Sequence, residues 1–225
     1  MNIAKSYDFF QPETFGDRIH IIGCGAIGST VAENLVRFGI TKITLYDFDT
    51  VESHNIANQL YTEQDIGKGK VDALAEHLIA INPELENNSL LKLCPDGYTN
   101  QKLTGYVILA VDNIELRKKI VQDNKFNGMI KAMFDFRMRL TDAQHYAADW
   151  SKVDDIDNFF EGMNFTSEEA RESTPVSACN LTLSVCTTVR MICALGVSNL
   201  INFAKGEELK HIILADAFNF TVNAI

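Results

Sequence analysis

The segment spanning residues 20–59, HIIGCGAIGSTVAENLVRFGITKITLYDFDTVESHNIANQ, constrains this chain more than any other. It opens on the apolar run 20–22, which reads as a buried parallel strand. Gly23, Gly25 and Gly28 follow in GxGxxG spacing, with Ala26 and Ile27 between the last two. In such a turn the first glycine permits a tight bend and the second lets backbone approach a phosphate. The third lets helix and strand pack closely. Residues 29–38 then repeat apolar side chains in a helical pattern through Val31, Leu35 and Phe38, and Gly39 supplies the stop. A second strand over 42–46 delivers Asp47, placed where a carboxylate accepts hydrogen bonds from a ribose hydroxyl. Strand, glycine turn, helix and acid together predict a nucleotide site.

The residues beyond Asp47 separate the nucleotide classes. A nicotinamide-dependent oxidoreductase shares the glycine turn and Asp47, but leaves Asp49, Asn55, Gln59, Lys70 and Asp112 without a role. Here Asp47-Phe48-Asp49-Thr50-Val51 leads into Ser53-His54-Asn55-Ile56-Ala57-Asn58-Gln59, then Asp65-Ile66-Gly67-Lys68-Gly69-Lys70. A further apolar strand, 106–109, ends in Ala110-Val111-Asp112-Asn113, with Arg117 following. This ordered set, covering roughly 18–139, resembles the ThiF/MoeB/E1 superfamily. Within it the chain is most similar to short, stand-alone ThiF-like proteins of bacteria and mobile elements, a sub-grouping supported by Asp135-Phe136-Arg137-Met138-Arg139.

The resemblance implies an α/β, Rossmann-like doubly wound and mostly parallel sheet with an ATP-binding glycine loop and antiparallel C-terminal strands. Residues 1–225 would form a single adenylation domain. The activity it implies is ATP-dependent adenylation of the C-terminal carboxylate of a ubiquitin-like or sulfur-carrier protein, whose flexible tail enters the site. ATP and Mg²⁺ are the cofactors, and a homodimer and an E2-like protein are the further partners. Gly23, Gly25, Ala26, Ile27 and Gly28 would cradle phosphate, with the helix start favouring anions. Asp47 would hold ribose, with Asp49 beside it; Asn55, Gln59 and Lys70 would lie near the triphosphate, with Lys68 the lesser lysine. Asp112 matches the magnesium-associated aspartate. Cys179 matches the region where a cysteine accepts the activated acyl group, and a helix N-terminus would favour its thiolate.

One position departs from the family pattern. The arginine that usually precedes the glutamine is Asn58 here, which removes a bidentate phosphate contact. Either Arg137 or Arg139 takes over, or the chain is a catalytically impaired structural partner of another E1-like subunit. Arg117 is expected to serve as a structural ion-pair partner.

The rest of the chain predicts helices over 71–81, 114–126 and 180–203, and strands over 90–93, 129–136, 144–150 and 212–223, the 144–150 strand antiparallel. Residues 151–178 are acidic with scattered aromatic anchors, and read as a lid or crossover loop. The 180–203 helix is apolar on more faces than one core covers, which predicts a subunit interface, with Cys186 and Cys193 as buried small hydrophobes. A net charge of −10 argues against nucleic acid as a partner. No run of eighteen consecutive apolar residues or basic-then-apolar leader suggests a membrane, and a cytoplasmic location is expected. Five cysteines form no CxxC pair, so no structural zinc is expected.

Overall fold

The computed structural model describes residues 1–176 and 183–225. Among these, eight strands form one sheet in the order β3-β2-β1-β4-β5-β6-β7-β8. Strands β1 (Ile19–Ile22), β2 (Ile43–Tyr46), β3 (Leu91–Cys94), β4 (Gly105–Leu109) and β5 (Ile130–Met138) run parallel. Strands β6 (Asp142–Asp149), β7 (Ile212–Asp216) and β8 (Thr221–Ala224) extend the sheet antiparallel. The central strands β1, β2 and β4 are buried along their whole length, which is why they read as near-continuous apolar runs.

Helices cover both faces. One core joins α1 (Ala26–Arg37), α2 (Lys70–Ile81) and α6 (Cys186–Ala204) to the sheet through Val31, Leu35, Leu74, Leu78, Val189 and Ile192. The other joins α3 (Ile114–Asp123) and α4 (Val153–Glu161) through Ile120, Val121, Ile156 and Phe159. Each such aliphatic or aromatic side chain contributes about 1.5–3 kcal/mol on burial. This two-sided, mostly parallel architecture is the doubly wound fold that the resemblance implied.

Several elements differ from the sequence expectation, among them α3, which ends at Asp123 rather than at residue 126. Helix α1 starts at Ala26, because Gly28 packs inside its first turn rather than preceding it. The acidic 151–178 segment is not a loop: it folds into α4 and α5 (Ser167–Glu172) up to Glu172. Its apolar anchors carry that order, since Ile156, Phe159 and Met163 recur at helical spacing and are buried, while the acids other than Asp155 are exposed. The expected terminal strand is a hairpin, turned where the Asp216 carboxylate accepts hydrogen bonds from the Phe218 and Asn219 amides. Helix α6 begins only at Cys186, since Val185 is extended; residues 177–182 lie outside the described part of the chain, Cys179 among them.

Helix α6 is long and apolar enough, by composition, to suit a membrane span. Half of that stretch is buried, and it packs on α1 and strands β5–β7 as a core helix. Cys193 is buried there, its thiol 3.6 Å from the Ile27 carbonyl oxygen, whereas Cys186 is exposed in the first turn, contrary to the buried role expected of it.

Candidate functional site

Strands β1 and β4 are neighbours whose onward connections leave in opposite directions, to β2 and to β5. Such a divergence opens a crevice at the carboxyl ends of the strands, where sheets of this kind bind ligands. A cleft of about 820 Å³ lies there. Gly23 takes φ +97°, and a Cβ on it would fall 2.7–2.8 Å from the Ala110 carbonyl and Val111 nitrogen. Gly28 is tighter still, its Cβ position lying 1.8 Å from the Gly23 carbonyl oxygen. These two glycines clamp β1, β4 and α1 together. Gly25 differs: nothing lies nearer its Cβ position than Gln59 Nε2 at 4.0 Å, so the open space beside it belongs to the cleft. Helix α1 starts immediately afterwards with no side-chain cap, leaving first-turn amides of Ala26 and Ile27 without an intrahelical partner.

The acid after β2 is tied directly to that turn. The Cys24 amide donates to Asp47 Oδ2 (2.6 Å) and the Asp49 amide donates to Asp47 Oδ1 (2.9 Å). The carboxylate is therefore fixed at the cleft edge, and each oxygen retains a lone pair for a ligand hydroxyl. Lys70 has a largely buried stem and donates from Nζ to Asp49 Oδ2 at 2.8 Å. An amide-to-carbonyl bond from Lys70 to Asp49 (2.9 Å) and a bridge between Thr50 and Gly69 hold the two segments in register. Tyr61, which sequence reasoning did not single out, donates to the Cys24 carbonyl (2.6 Å), with the Lys70 carbonyl 3.2 Å away. Its signal was weak: one tyrosine in a loop, buried only because two loops converge on it.

Gln59 reaches the cleft with Oε1 buried and unpartnered among the described residues. Asp112 lines the cleft from the end of β4 and is exposed. Next to it, Asn113 caps α3 by accepting from the Leu116 amide at 2.7 Å. Asn55 is not brought to the cleft: it is buried, and its Oδ1 accepts the Glu52 amide at 2.9 Å, which makes it a turn residue. Lys68 is likewise elsewhere, paired with Asp65 and Glu76. Asn58 donates to Ser184 Oγ at 2.7 Å, so the position where the family has a guanidinium is spent on an internal contact.

Arg117 is buried and structural, as expected: it donates to the Val111 and Phe136 carbonyl oxygens and pairs with the fully buried Asp135. Arg137 also pairs with Asp135, and Arg139 with Asp142; both line the cleft. Phe48, Tyr98, Phe165 and Ser167 complete the walls and were not anticipated. Ser167 at the start of α5 accepts the Ile114 amide at 3.1 Å and donates to Glu115, which latches α5 over the mouth beside α3.

These residues suit ATP. A glycine cradle that a Cβ would fill, uncapped helix amides, an acid fixed at the cleft edge, and a lysine and glutamine on one side match the demands of a triphosphate. Among the described residues no three His, Cys, Asp or Glu side chains gather to hold a metal alone. Magnesium is commonly held by one or two carboxylates together with substrate phosphates, and Asp112 is placed to be one of those carboxylates.

An open crevice at the switch point of a doubly wound sheet is the class that fold and site define. The chain belongs to the ThiF family, whose model matches residues 10–223. It is 33% identical over 134 residues to ubiquitin-like modifier-activating enzyme 5 of Drosophila pseudoobscura pseudoobscura, covering 53% of this chain and 33% of that protein. The Caenorhabditis elegans protein of the same name is 28% identical over 145 residues, covering 62% and 30%. The chain thus spans about a third of the length of these relatives. Its fold is shared with PaaA (TM-score 0.71, 17% identity, 98% of this chain and 68% of that one). It is also shared with Escherichia coli MccB, solved with AMPCPP and MccA (TM-score 0.69, 19% identity, 93% and 63%).

Proposed function

We propose that the chain binds ATP with Mg²⁺ in this cleft and adenylates the C-terminal carboxylate of a ubiquitin-like or sulfur-carrier protein. The observation that carries the reading is the convergence of the glycine cradle, Asp47, Gln59, Lys70 and Asp112 on one crevice in a chain of this family. In the reaction, a carboxylate oxygen attacks the α-phosphorus of ATP, and the bond from that phosphorus to the bridging oxygen breaks. Pyrophosphate leaves with the electron pair. Asp47 orients the ribose through its free lone pairs, held in place by the Cys24 and Asp49 amides. The glycine-turn amides and Lys70 offset charge on the phosphates. Lys70 must exchange its contact with Asp49 for phosphate, or share it, and Asp49 is more than half exposed and free to turn to water. Magnesium supplies charge compensation at the leaving group when bound, and Asp112 would hold it.

Supporting relatives act in the same direction: the curated relatives are named as ubiquitin-like modifier-activating enzymes, and MccB has been solved with ATP. Calorimetry is the direct test of the nucleotide. ATP with Mg²⁺ should bind and NAD should not; tight NAD binding without any ATP heat would overturn the assignment. Transfer of the acyl group to Cys179 extends the proposal. Cys179→Ser should adenylate a cognate carrier yet form no reductant-labile conjugate, and a mutant that still forms one would assign the thiol elsewhere. Homodimerisation and an E2-like acceptor belong to the same reading, and light scattering tests the first: a monomer mass at every concentration contradicts it.

Asn58 favours a second reading, in which the chain is a structural partner with weakened turnover. Exchange of pyrophosphate into ATP separates the two.

A further inference from the structure

Two arginines, one buried and one half-buried, share a buried aspartate near the end of β5. Asp135 is fully buried, and its two carboxylate oxygens are taken by Arg117 on one side and Arg137 on the other, the latter at 2.6 Å. Two guanidinium groups against one carboxylate leave a net positive charge on the cleft wall, in a chain whose total is −10. Arg117 spends its donors on Asp135 and on the Val111 and Phe136 carbonyls. Arg137 does not. Its Nε goes to Asp135, its Nη1 to the Gly162 carbonyl at 2.7 Å, and its Nη2 is buried without a partner among the described residues.

The plane of Arg137 is also fixed. Its guanidinium lies 4.3 Å from the Tyr146 ring centroid and 4.9 Å from that of Phe165. Such stacking costs little hydration for guanidinium and holds its plane while Nη2 stays unpaired among the described residues. A buried, uncompensated donor on a cationic group is expensive unless an anion completes it.

Its place in the sheet says which anion. The ribose-facing Asp47 follows β2 and the glycine turn follows β1, while Asp112 follows β4 and Arg137 ends β5. Lys70 and Gln59 sit with the glycine turn on the β1–β2 side. Arg137 is therefore separated from Asp47 by the two intervening strands, on the side of the cleft that a nucleotide anchored at Asp47 and the glycine turn would leave to the attacking group. We infer that Arg137 receives the C-terminal carboxylate of the acyl substrate and positions it for attack, taking its charge into the Arg117–Asp135–Arg137 cluster. This rests on the adenylation reading above.

The test uses a synthetic hexapeptide ending in Gly-Gly with a free carboxylate, its C-terminal amide, and AMPCPP with Mg²⁺ as the nucleotide. Parent, R137Q and R137K are compared by calorimetry, with melting temperature as the check on folding. R137Q should bind AMPCPP as the parent does, yet bind the acid peptide in the presence of AMPCPP roughly ten- to a hundredfold more weakly, the loss expected for a charged hydrogen bond. The amide should be weak for both proteins. R137K keeps the charge without the fork and should fall between them; it also serves if R137Q does not fold. Lost AMPCPP affinity with peptide binding unchanged would assign the guanidinium to a phosphate and overturn the inference. Equal binding of acid and amide by the parent would overturn it too. A parent that binds no AMPCPP contradicts the adenylation reading instead.

Discussion

Replacing Gly28 by Ala isolates what the glycine turn does for the fold from what it does for the ligand. The added methyl would sit 1.8 Å from the Gly23 carbonyl oxygen, 2.9 Å from its carbon and 3.2 Å from Ile21 Cγ2. The first two neighbours are backbone, so no side-chain rotation relieves the clash, and α1 must withdraw from β1 by an ångström or more. Overpacking a tight core costs about 1–3 kcal/mol, occasionally more, and a backbone neighbour puts this case at or above the upper end. Against a typical total of about 5–15 kcal/mol, that loss is large. Urea unfolding followed by circular dichroism should show the midpoint fall with the slope unchanged. The companion variant Gly25→Ala meets only the tip of Gln59 at 4.0 Å, so it should lose far less stability than Gly28→Ala. Its methyl enters the cradle, and ATP affinity should drop while the fold stays. A Gly28→Ala protein as stable as the parent would refute the close-packing account. A Gly25→Ala protein with parental ATP affinity would refute the cradle.

Asp135→Asn strips the shared carboxylate from the buried Arg117 and the half-buried Arg137 and should cost about 3–5 kcal/mol in urea unfolding, against a near-neutral result if the cluster is already solvated. Burial holds the imidazoles of His20 and His145 down to about 4, against about 6.5 unfolded. The unfolded chain therefore binds protons that the folded chain refuses, and stability is full above pH 6.5 and falls as pH drops towards 4. Unfolding near pH 5 should take up close to two protons, and a pH-independent stability between 7 and 4.5 would contradict the assignment. Burial also pushes the Cys24 and Cys193 thiols up, while Cys186 is exposed. Iodoacetamide under native conditions should label Cys186 and spare Cys24 and Cys193 until denaturant is added, as read by peptide mass spectrometry.

The parts of this structure legible in the sequence are those set by local pattern. The turn from β1 into α1 and the acid after β2 follow from spacing, and the Asn113 cap follows from a side-chain oxygen three residues before the amide that donates to it. Helices α4 and α5 were hidden because seven acids dominate residues 151–178, although the buried Ile156, Phe159 and Met163 keep helical spacing. The misplacement of Asn55 has a different cause. A buried asparagine whose Oδ1 accepts the amide three residues before it is a turn device, and sequence cannot distinguish that from a ligand contact. Arg117, Asp135 and Arg137 were each visible, but the sharing of one carboxylate between two guanidinium groups depends on β5 lying beside β4.

The account stands most directly on ATP–pyrophosphate exchange, measured with a cognate carrier ending in a free carboxylate. The parent should exchange labelled pyrophosphate into ATP only when that carrier is present. Asp112→Ala should abolish the exchange with its melting temperature unchanged, because Asp112 is exposed and carries no core packing. Exchange by Asp112→Ala at the parental rate, or carrier-independent exchange by the parent, would contradict carboxylate adenylation at this site.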